Sequence, residues 1–312
     1  MNKLDSPDGD PATHPHDARS SRPPGDEPSF ARLAQLGQTS WRRHLAGLTI
    51  ILFSWIVAGG VATLALMSML GALGPSPMSG YLVANTQFPF LLIGLVIAVR
   101  YVHRRPVRSL ITPRRRIDAP RIAWSFGLFF LLAGAATLIE AMLDPARFHL
   151  TLSPTWLLTL PVIVAITCLQ ASTEELFFRG YLLQAMGLLT RRGWLLVTLN
   201  TVVFAVPHMM NPEMSTGSAL LAAVYVCLGA FFTILTLRDN RLELALGAHA
   251  ANNLFAALAV NHQNSSLPTQ AIWQVSELNP PFILVSFLLT APLFYWATFR
   301  RTRRAGQEPA SA

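Results

Sequence analysis

The sequence predicts an all-α fold, a polytopic bundle of about eight transmembrane helices. Of the 312 residues, 52% are hydrophobic and only 13% are charged, whereas an ordinary soluble domain carries about 25% charged residues. The mean hydropathy is +0.41. Most apolar stretches are about 17–25 residues long, which is the length that a helix needs to cross about 30 Å of hydrocarbon. The eight predicted spans are residues 46–71, 87–103, 121–143, 155–186, 194–210, 217–237, 243–261 and 281–299.

Basic residues alternate along the connections between these spans. The connections 72–86, 144–154, 211–216 and 262–280 contain a single basic residue, Arg147. Cytoplasmic loops are enriched in Lys and Arg, so the alternation predicts that both termini are cytoplasmic. The net charge of +8 is then a topology signal, and we do not expect nucleic-acid binding. The basic segments are WRRH (41–44), HRRPVRSLITPRRR (103–116), TRR (190–192), RDNR (238–241) and RRTRR (300–304).

The termini differ in composition from the predicted spans. Residues 1–40 are rich in Pro, Asp, Ser and Gly, which predicts a disordered cytoplasmic tail. Residues 41–300 form the predicted membrane domain, and 301–312 a basic cytoplasmic tail. No signal peptide is evident, so we expect the first span to remain as an anchor. Lys3 is the only lysine among many arginines, a bias typical of a GC-rich bacterium, which indicates a multi-pass protein of the bacterial inner (plasma) membrane.

The fourth span contains three formal charges, Glu174, Glu175 and Arg179. Each costs about 2.5–3.5 kcal/mol at the centre of a membrane helix. Glu175 and Arg179 are one helical turn apart and are expected to pair. Glu174 is rotated by about 100° from that face and is freer to exchange a proton. The alternative interpretation is a structural ion pair that joins two helices.

Two later spans contribute further polar side chains. His208 lies in span 5, and His249 and Asn253 lie one turn apart on span 7. A raised carboxylate pKa beside an imidazole suits water activation, and His with Asn can stabilise an oxyanion. One feature conflicts with this grouping. Glu174 lies about 19 residues from the outer end of span 4, on the cytoplasmic side, whereas His208 falls nearer the outer face. We therefore expect span 5 to tilt, start deeper or break at Pro207.

These residues resemble the motifs of the CPBP intramembrane endopeptidases, also called the type II CAAX prenyl protease and bacteriocin-processing (Abi) family. The family pattern is EExxxR, then FxxxH, then HxxxN or HxxxD. The resemblance covers about residues 155–260, the motif core, with spans 1–3 and 8 as flanking helices. The matching residues, in order, are Glu174, Glu175 and Arg179, then Phe204 and His208, then His249 and Asn253.

The resemblance implies an all-helical intramembrane protease of the glutamic type. It implies that Glu174 is the general base, helped by His208, and that His249 and Asn253 hold the tetrahedral oxyanion. The implied substrates are peptides or proteins associated with the lipid bilayer, cleaved near the cytoplasmic leaflet. No cofactor is implied, although two histidines and two glutamates could assemble a zinc site by composition. The residues that organise the site would be Glu175 and Arg179.

Two other functions remain open from the sequence. One is a non-proteolytic membrane scaffold or immunity protein of the same fold. The other is a proton-coupled transporter that uses Glu174 and Glu175 as a proton relay. The substrate, the cleavage position and the oligomeric state are not encoded in any motif of this sequence.

Overall fold

The fold was analysed in a computed structural model, which describes residues 29–72, 74, 76–216 and 218–305. The predicted all-α bundle is confirmed, and each predicted span overlaps one long helical run. The fourth run, α4, joins Pro154–Glu175, a π-helical segment Leu176–Leu182, and Leu183–Leu189. The other helices are α1 (Trp41–Gly71), α2 (Pro77–Val102), α3 (Ala119–Leu143), α5 (Gly193–His208), α6 (Ala219–Asp239), α7 (Glu243–Leu258) and α8 (Pro280–Ala305).

Six of these helices are long and apolar enough to cross a membrane, whereas α5 and α7 have only 16 residues each. The number of crossings and the cytoplasmic location of the termini therefore stay predictions. Large apolar side chains such as Leu64, Leu131 and Leu289 are exposed on the outer helices. This is the surface expected of a protein whose solvent is lipid, because lipid tails are as apolar as leucine.

Helix α7 lies at the centre of the bundle, where it packs against α3, α4 and α6. Small residues allow its backbone to approach α3 closely. A Cβ atom placed on Gly247 would lie 2.3 Å from the carbonyl oxygen of Ile122. The Ser125 hydroxyl on α3 donates to the carbonyl oxygen of Leu244 at 2.5 Å. His249 and Asn253 are therefore held on a helix that is enclosed by others.

The segment before α1 corrects one prediction. Phe30–Leu36 form a 3₁₀ helix, and Phe30 and Leu33 are completely buried. The Phe30 backbone N–H also donates to Asn240 Oδ1 at 2.6 Å. The expectation of disorder up to residue 40 is thus wrong for this segment, because its apolar residues fill a site on the bundle. The remainder of the predicted tail, residues 1–28, lies outside the described residues, as do residues 306–312.

A small sheet, which the sequence did not predict, joins two connections. Strand β1 (Phe148–Leu150) pairs antiparallel with β3 (Trp273–Val275), which pairs parallel with β2 (Val260–His262). We call this end of the bundle, with connections 144–153, 209–216 and 259–279, the sheet end. The opposite end, with connections 103–118, 190–192 and 240–242, is the basic end. Strands of three residues leave almost no periodic pattern in a sequence.

Candidate active site

Helices α4 and α5 form an antiparallel hairpin that brings Glu174 to His208. Their connection is the short turn at 190–192. Glu174 lies as far before Leu189 as His208 lies after Gly193, so the two side chains are at the same depth in the hairpin. Glu174 Oε2 is 3.9 Å from His208 Nε2. The depth mismatch expected from the sequence is therefore absent, and α5 continues to His208 without a break.

Glu175 and Arg179 pair as their spacing predicts, and both side chains are fully buried. Arg179 Nη1 donates to Glu175 Oε1 at 2.8 Å, and Nη2 donates to the carbonyl oxygen of Gly229 at 3.1 Å. The guanidinium also lies 4.2 Å from the ring centroid of Phe204, within the range of a cation–π interaction. Arg179 belongs to the π-helical segment of α4, and such segments occur frequently at functional sites.

His249 connects the two glutamates. Its Nδ1 lies 2.8 Å from Glu175 Oε1, and its Nε2 lies 3.6 Å from Glu174 Oε2. The ring is stacked on Phe232 with a centroid distance of 4.9 Å. A hydrogen bond from Nδ1–H to the Glu175 carboxylate assigns the neutral ring a lone pair on Nε2. Glu175 thus orients His249 as well as Arg179.

Gln170 belongs to the site although the sequence analysis did not select it. Its Nε2 donates to Glu174 Oε1 at 3.0 Å, and its Oε1 accepts from Asn253 Nδ2 at 3.2 Å. Asn253 Nδ2 also lies 3.3 Å from His249 Nε2. The available signal was a polar amide in an apolar span, one turn before Glu174. Gln170 and Asn253 together fix one oxygen of Glu174.

His208 is held between two aromatic rings. Its Nδ1 is 2.7 Å from the carbonyl oxygen of Phe204, so the neutral tautomer carries its lone pair on Nε2. The ring centroids of Phe204 and Tyr225 lie 4.3 and 4.8 Å from that of His208. The sequence had identified Phe204 by motif but gave no signal for Tyr225, which comes from α6. The lone pair of His208 is consequently aimed toward Glu174.

The other oxygen of Glu174, Oε2, faces the two histidine rings. Like Oε2 of Glu175, it is buried and has no hydrogen-bond partner among the described residues. Around it lie Nε2 of His208 and Nε2 of His249, which are acceptors in their neutral tautomers. Asn253 Nδ2 reaches His249 Nε2, but no described donor reaches Glu174 Oε2, and a buried acceptor without a donor is costly. The arrangement fits a small ligand that donates hydrogen bonds, and water is the simplest one.

These groups line a cavity of about 340 Å³. Its wall continues from Glu174 to Glu213, which accepts hydrogen bonds from the Tyr225 hydroxyl and from the backbone N–H of Ser266. Burial lowers the pKa of His262 in the same wall, and the nearby Glu213 carboxylate opposes that shift. The cavity therefore reaches the sheet end, not the basic end where the sequence placed Glu174. The motifs had identified Glu174, His208 and His249, but not Glu213 and His262, which form the part of the wall at the sheet end.

The predicted zinc alternative requires at least three suitable ligands in one place. Across residues 29–72, 76–216 and 218–305, no three His, Cys, Asp or Glu side chains are grouped as metal ligands would be. Glu213 follows His208 closely in sequence, but it is bound by Tyr225 and Ser266. The side chains that do converge are those of the three motifs together with Gln170.

Comparisons with known proteins agree with the three motifs. The model of the family described as "Type II CAAX prenyl endopeptidase Rce1-like" matches residues 155–255. An uncharacterized protein of Bacillus subtilis (strain 168), YyaK, is 32% identical over 253 residues, which cover 76% of this chain and 83% of the relative. No solved structure matches the chain. The matched region spans α4 to α7, which carry every motif residue, and the chain belongs to the Rce1-like family of type II CAAX prenyl endopeptidases.

Proposed function

We propose that this protein is an intramembrane endopeptidase in which Glu174 activates water. The observation that carries this proposal is the buried, unpartnered Oε2 of Glu174, placed between the ring nitrogens of His208 and His249. A water molecule bound there would donate one hydrogen to Glu174 and the other to His208. That arrangement would leave a lone pair of its oxygen free to attack a peptide carbonyl.

The first chemical step forms the tetrahedral intermediate. As the water oxygen bonds to the carbonyl carbon, its O–H bond breaks and the proton passes to Glu174 Oε2. The carbonyl π electrons move to the oxygen, which becomes an oxyanion. In the second step the carbon–nitrogen bond breaks, and Glu174 returns the proton to the leaving nitrogen.

His249 and Asn253 are the proposed oxyanion ligands. Uptake of a proton from solvent at His249 Nε2, before the water attacks, would end its acceptance of the Asn253 hydrogen bond, so that both N–H groups become available to the oxyanion. Glu175 would stabilise the charged imidazole from the opposite side, as a carboxylate does in hydrolases that orient a histidine. Arg179, whose Nη1 donates to Glu175 Oε1, would hold this carboxylate in place.

The proposed substrates are membrane-associated peptides or proteins, because the cavity is enclosed by membrane helices. The test is peptidomics of bacterial membranes that contain the wild-type protein, Glu174→Gln or Glu140→Gln. Glu140 lies on α3 and pairs with Arg147 at 3.1 Å, outside the cavity. We expect cleavage products with the wild type and Glu140→Gln and a loss of at least about 100-fold with Glu174→Gln.

His208→Ala should show a similar loss while keeping the thermal stability of the wild type. If both Glu174→Gln and His208→Ala cleave at the wild-type rate, the proposal is wrong. If neither the wild type nor any variant produces cleavage products, but the protein still binds a membrane partner, the result would instead support a non-proteolytic scaffold or immunity protein. Proton-gradient-dependent flux that survives loss of His249 and Asn253 would support a transporter.

No step of the proposed mechanism uses a metal ion. We therefore expect that prolonged treatment of the purified protein with a chelator leaves the cleavage rate within about twofold of the untreated rate. The reason is that a carboxylate base can generate the nucleophile without a Lewis acid. A loss of activity that added Zn²⁺ restores would contradict this part of the proposal and favour the zinc alternative.

A further inference from the structure

We propose that the active-site cavity admits its substrates from the non-cytoplasmic face of the membrane. The substrates would then be exported peptides or outward-facing segments of membrane proteins. This inference rests on the proposed function and adds the side from which substrate enters. It differs from the expectation of cleavage near the cytoplasmic leaflet, which the sequence analysis drew from the depth of Glu174.

The path out of the active-site cavity leads toward the sheet end. A second cavity of about 490 Å³, which we call the vestibule, adjoins the first and shares Glu213, His262 and Leu278 with it. The vestibule also includes Gln263, which is exposed, and Glu277. All of these residues belong to connections 209–216 and 259–279, so the path from Glu174 leads out at the sheet end.

Among the described residues, buried side chains separate Glu174 from the basic end. On that side the interior is filled by Arg179, which is fully buried, and by the buried Tyr181, whose hydroxyl lies 2.9 Å from His103 Nε2. Next to them Arg105 Nη1 donates to Gln184 Oε1 at 2.5 Å, and both side chains are buried. A substrate approaching from that end would have to displace these contacts before it reached Glu174.

Basic residues are distributed unevenly between the two ends of the bundle. Connections 72–86, 144–154, 211–216 and 262–280 contain one basic residue, Arg147, and it is paired with Glu140 and Asp144. At the basic end, residues 103–116 alone contain six arginines, namely Arg104, Arg105, Arg108, Arg114, Arg115 and Arg116. Lys and Arg in short loops are retained in the cytoplasm.

The path of the cavity and the distribution of charge together determine which side of the membrane the site faces. The positive-inside rule assigns the basic end to the cytoplasm, and the vestibule is at the other end. A peptide segment that enters from outside would first meet the vestibule, with the carboxylates of Glu213 and Glu277, and then the Glu174 carboxylate. A cytoplasmic protein that approached from the basic end would meet the filled interior before it reached Glu174.

The orientation can be tested in the full-length chain without measuring activity. In a background with Cys168→Ala and Cys227→Ala, single cysteines are introduced as Gln263→Cys at the vestibule and Thr39→Cys at the basic end. Both positions are exposed. On intact cells, a membrane-impermeant maleimide should label Gln263→Cys, and it should label Thr39→Cys only after permeabilisation. The reverse pattern, or labelling of both variants in intact cells, would overturn the proposal.

A second experiment tests the entry of substrate. Once peptidomics has identified a cleaved sequence, a soluble, membrane-impermeant peptide containing it is added to right-side-out or inverted vesicles. We expect cleavage at least about tenfold faster in right-side-out vesicles, with Glu174→Gln vesicles as the blank. Faster cleavage in inverted vesicles would overturn the proposal and leave the proposed function intact. Failure of the proposed function would instead appear as equal product from Glu174→Gln and wild-type vesicles.

Discussion

At the residue scale, the two adjacent glutamates have different surroundings. Glu175 Oε1 is bound by both Arg179 and His249, so its charge is compensated by fixed partners. Glu174 is held through one oxygen by Gln170, and its other oxygen faces the cavity. Oε2 of each glutamate is buried without a hydrogen-bond partner among the described residues, but Glu174, unlike Glu175, lines the cavity proposed to hold the water. These different surroundings support the proposed role of Glu174 as the base, which the EExxxR spacing alone does not assign.

Gln170 offers a direct test of how much this positioning contributes. Gln170→Ala removes the donor to Glu174 Oε1 and the acceptor for Asn253 Nδ2, so both side chains can move from their present positions. Misplacement of a reacting group by about 1 Å can cost about 100-fold in rate. We expect kcat to fall about 10–100-fold with KM within about twofold, measured on a cleaved peptide.

The matched control is Cys168→Ala on the same helix, which should keep kcat within about twofold. Thermal unfolding in detergent should separate positioning from folding, since Gln170→Ala should unfold near the wild-type temperature. A rise in KM at constant kcat would show instead that Gln170 contacts the substrate and does not position Glu174.

At the scale of elements, the site depends on close approach between helices. Gly247 lies on α7, two residues before His249, and faces α3. A Cβ atom at this position would also lie 2.8 Å from Ser125 Cβ, in addition to the clash with Ile122. The Ile122 atom is a backbone oxygen and the Ser125 atom is Cβ, so neither can rotate away. The helices would have to separate, and His249 would move with α7.

Gly247→Ala should therefore lower the free energy of unfolding by about 1–3 kcal/mol, the usual cost of overpacking. Gly127→Ala on α3 is the matched control, because a Cβ atom there meets nothing within 4 Å. Since Ala is the better helix former, this control should be neutral or slightly stabilising. Thermal unfolding of the two variants in the same detergent provides the comparison, and equal stability would contradict the close α3–α7 contact.

At the scale of the whole molecule, the sequence predicted the features that depend on regular spacing along the chain. Eight apolar stretches predicted the eight helices, and the spacing of Glu175 and Arg179 predicted their ion pair. Contacts between distant segments were less accessible. Gln170 and Tyr225 reach the site from α4 and α6 only because of how these helices pack, and no local pattern records that packing.

The depth of the site could not be derived from span boundaries alone. Glu174 was placed from the outer end of span 4, but α4 (Pro154–Leu189) is much longer than α5 (Gly193–His208) and extends beyond it at the sheet end. A depth counted from that outer end is therefore not comparable with a depth counted along α5. The hairpin turn at 190–192 provides the better reference, because residues equally distant from a turn meet in an antiparallel pair. The buried Phe30 was missed for a different reason, since one short apolar segment is outweighed by the polar residues before it.

The last prediction concerns whether α5 and α7 cross the membrane. With 16 residues, each is about 24 Å long, shorter than about 30 Å of hydrocarbon. Helix α7 is enclosed by longer helices, whereas α5 has one exposed apolar face that includes Val202 and Val206, and a bilayer can thin locally around a short span. Alkaline phosphatase inserted into the full chain after Met210, beyond α5, should therefore be active, and after Arg191, before α5, inactive. Activity at both positions, or at neither, would show that α5 does not cross, which would reduce the number of spans below eight.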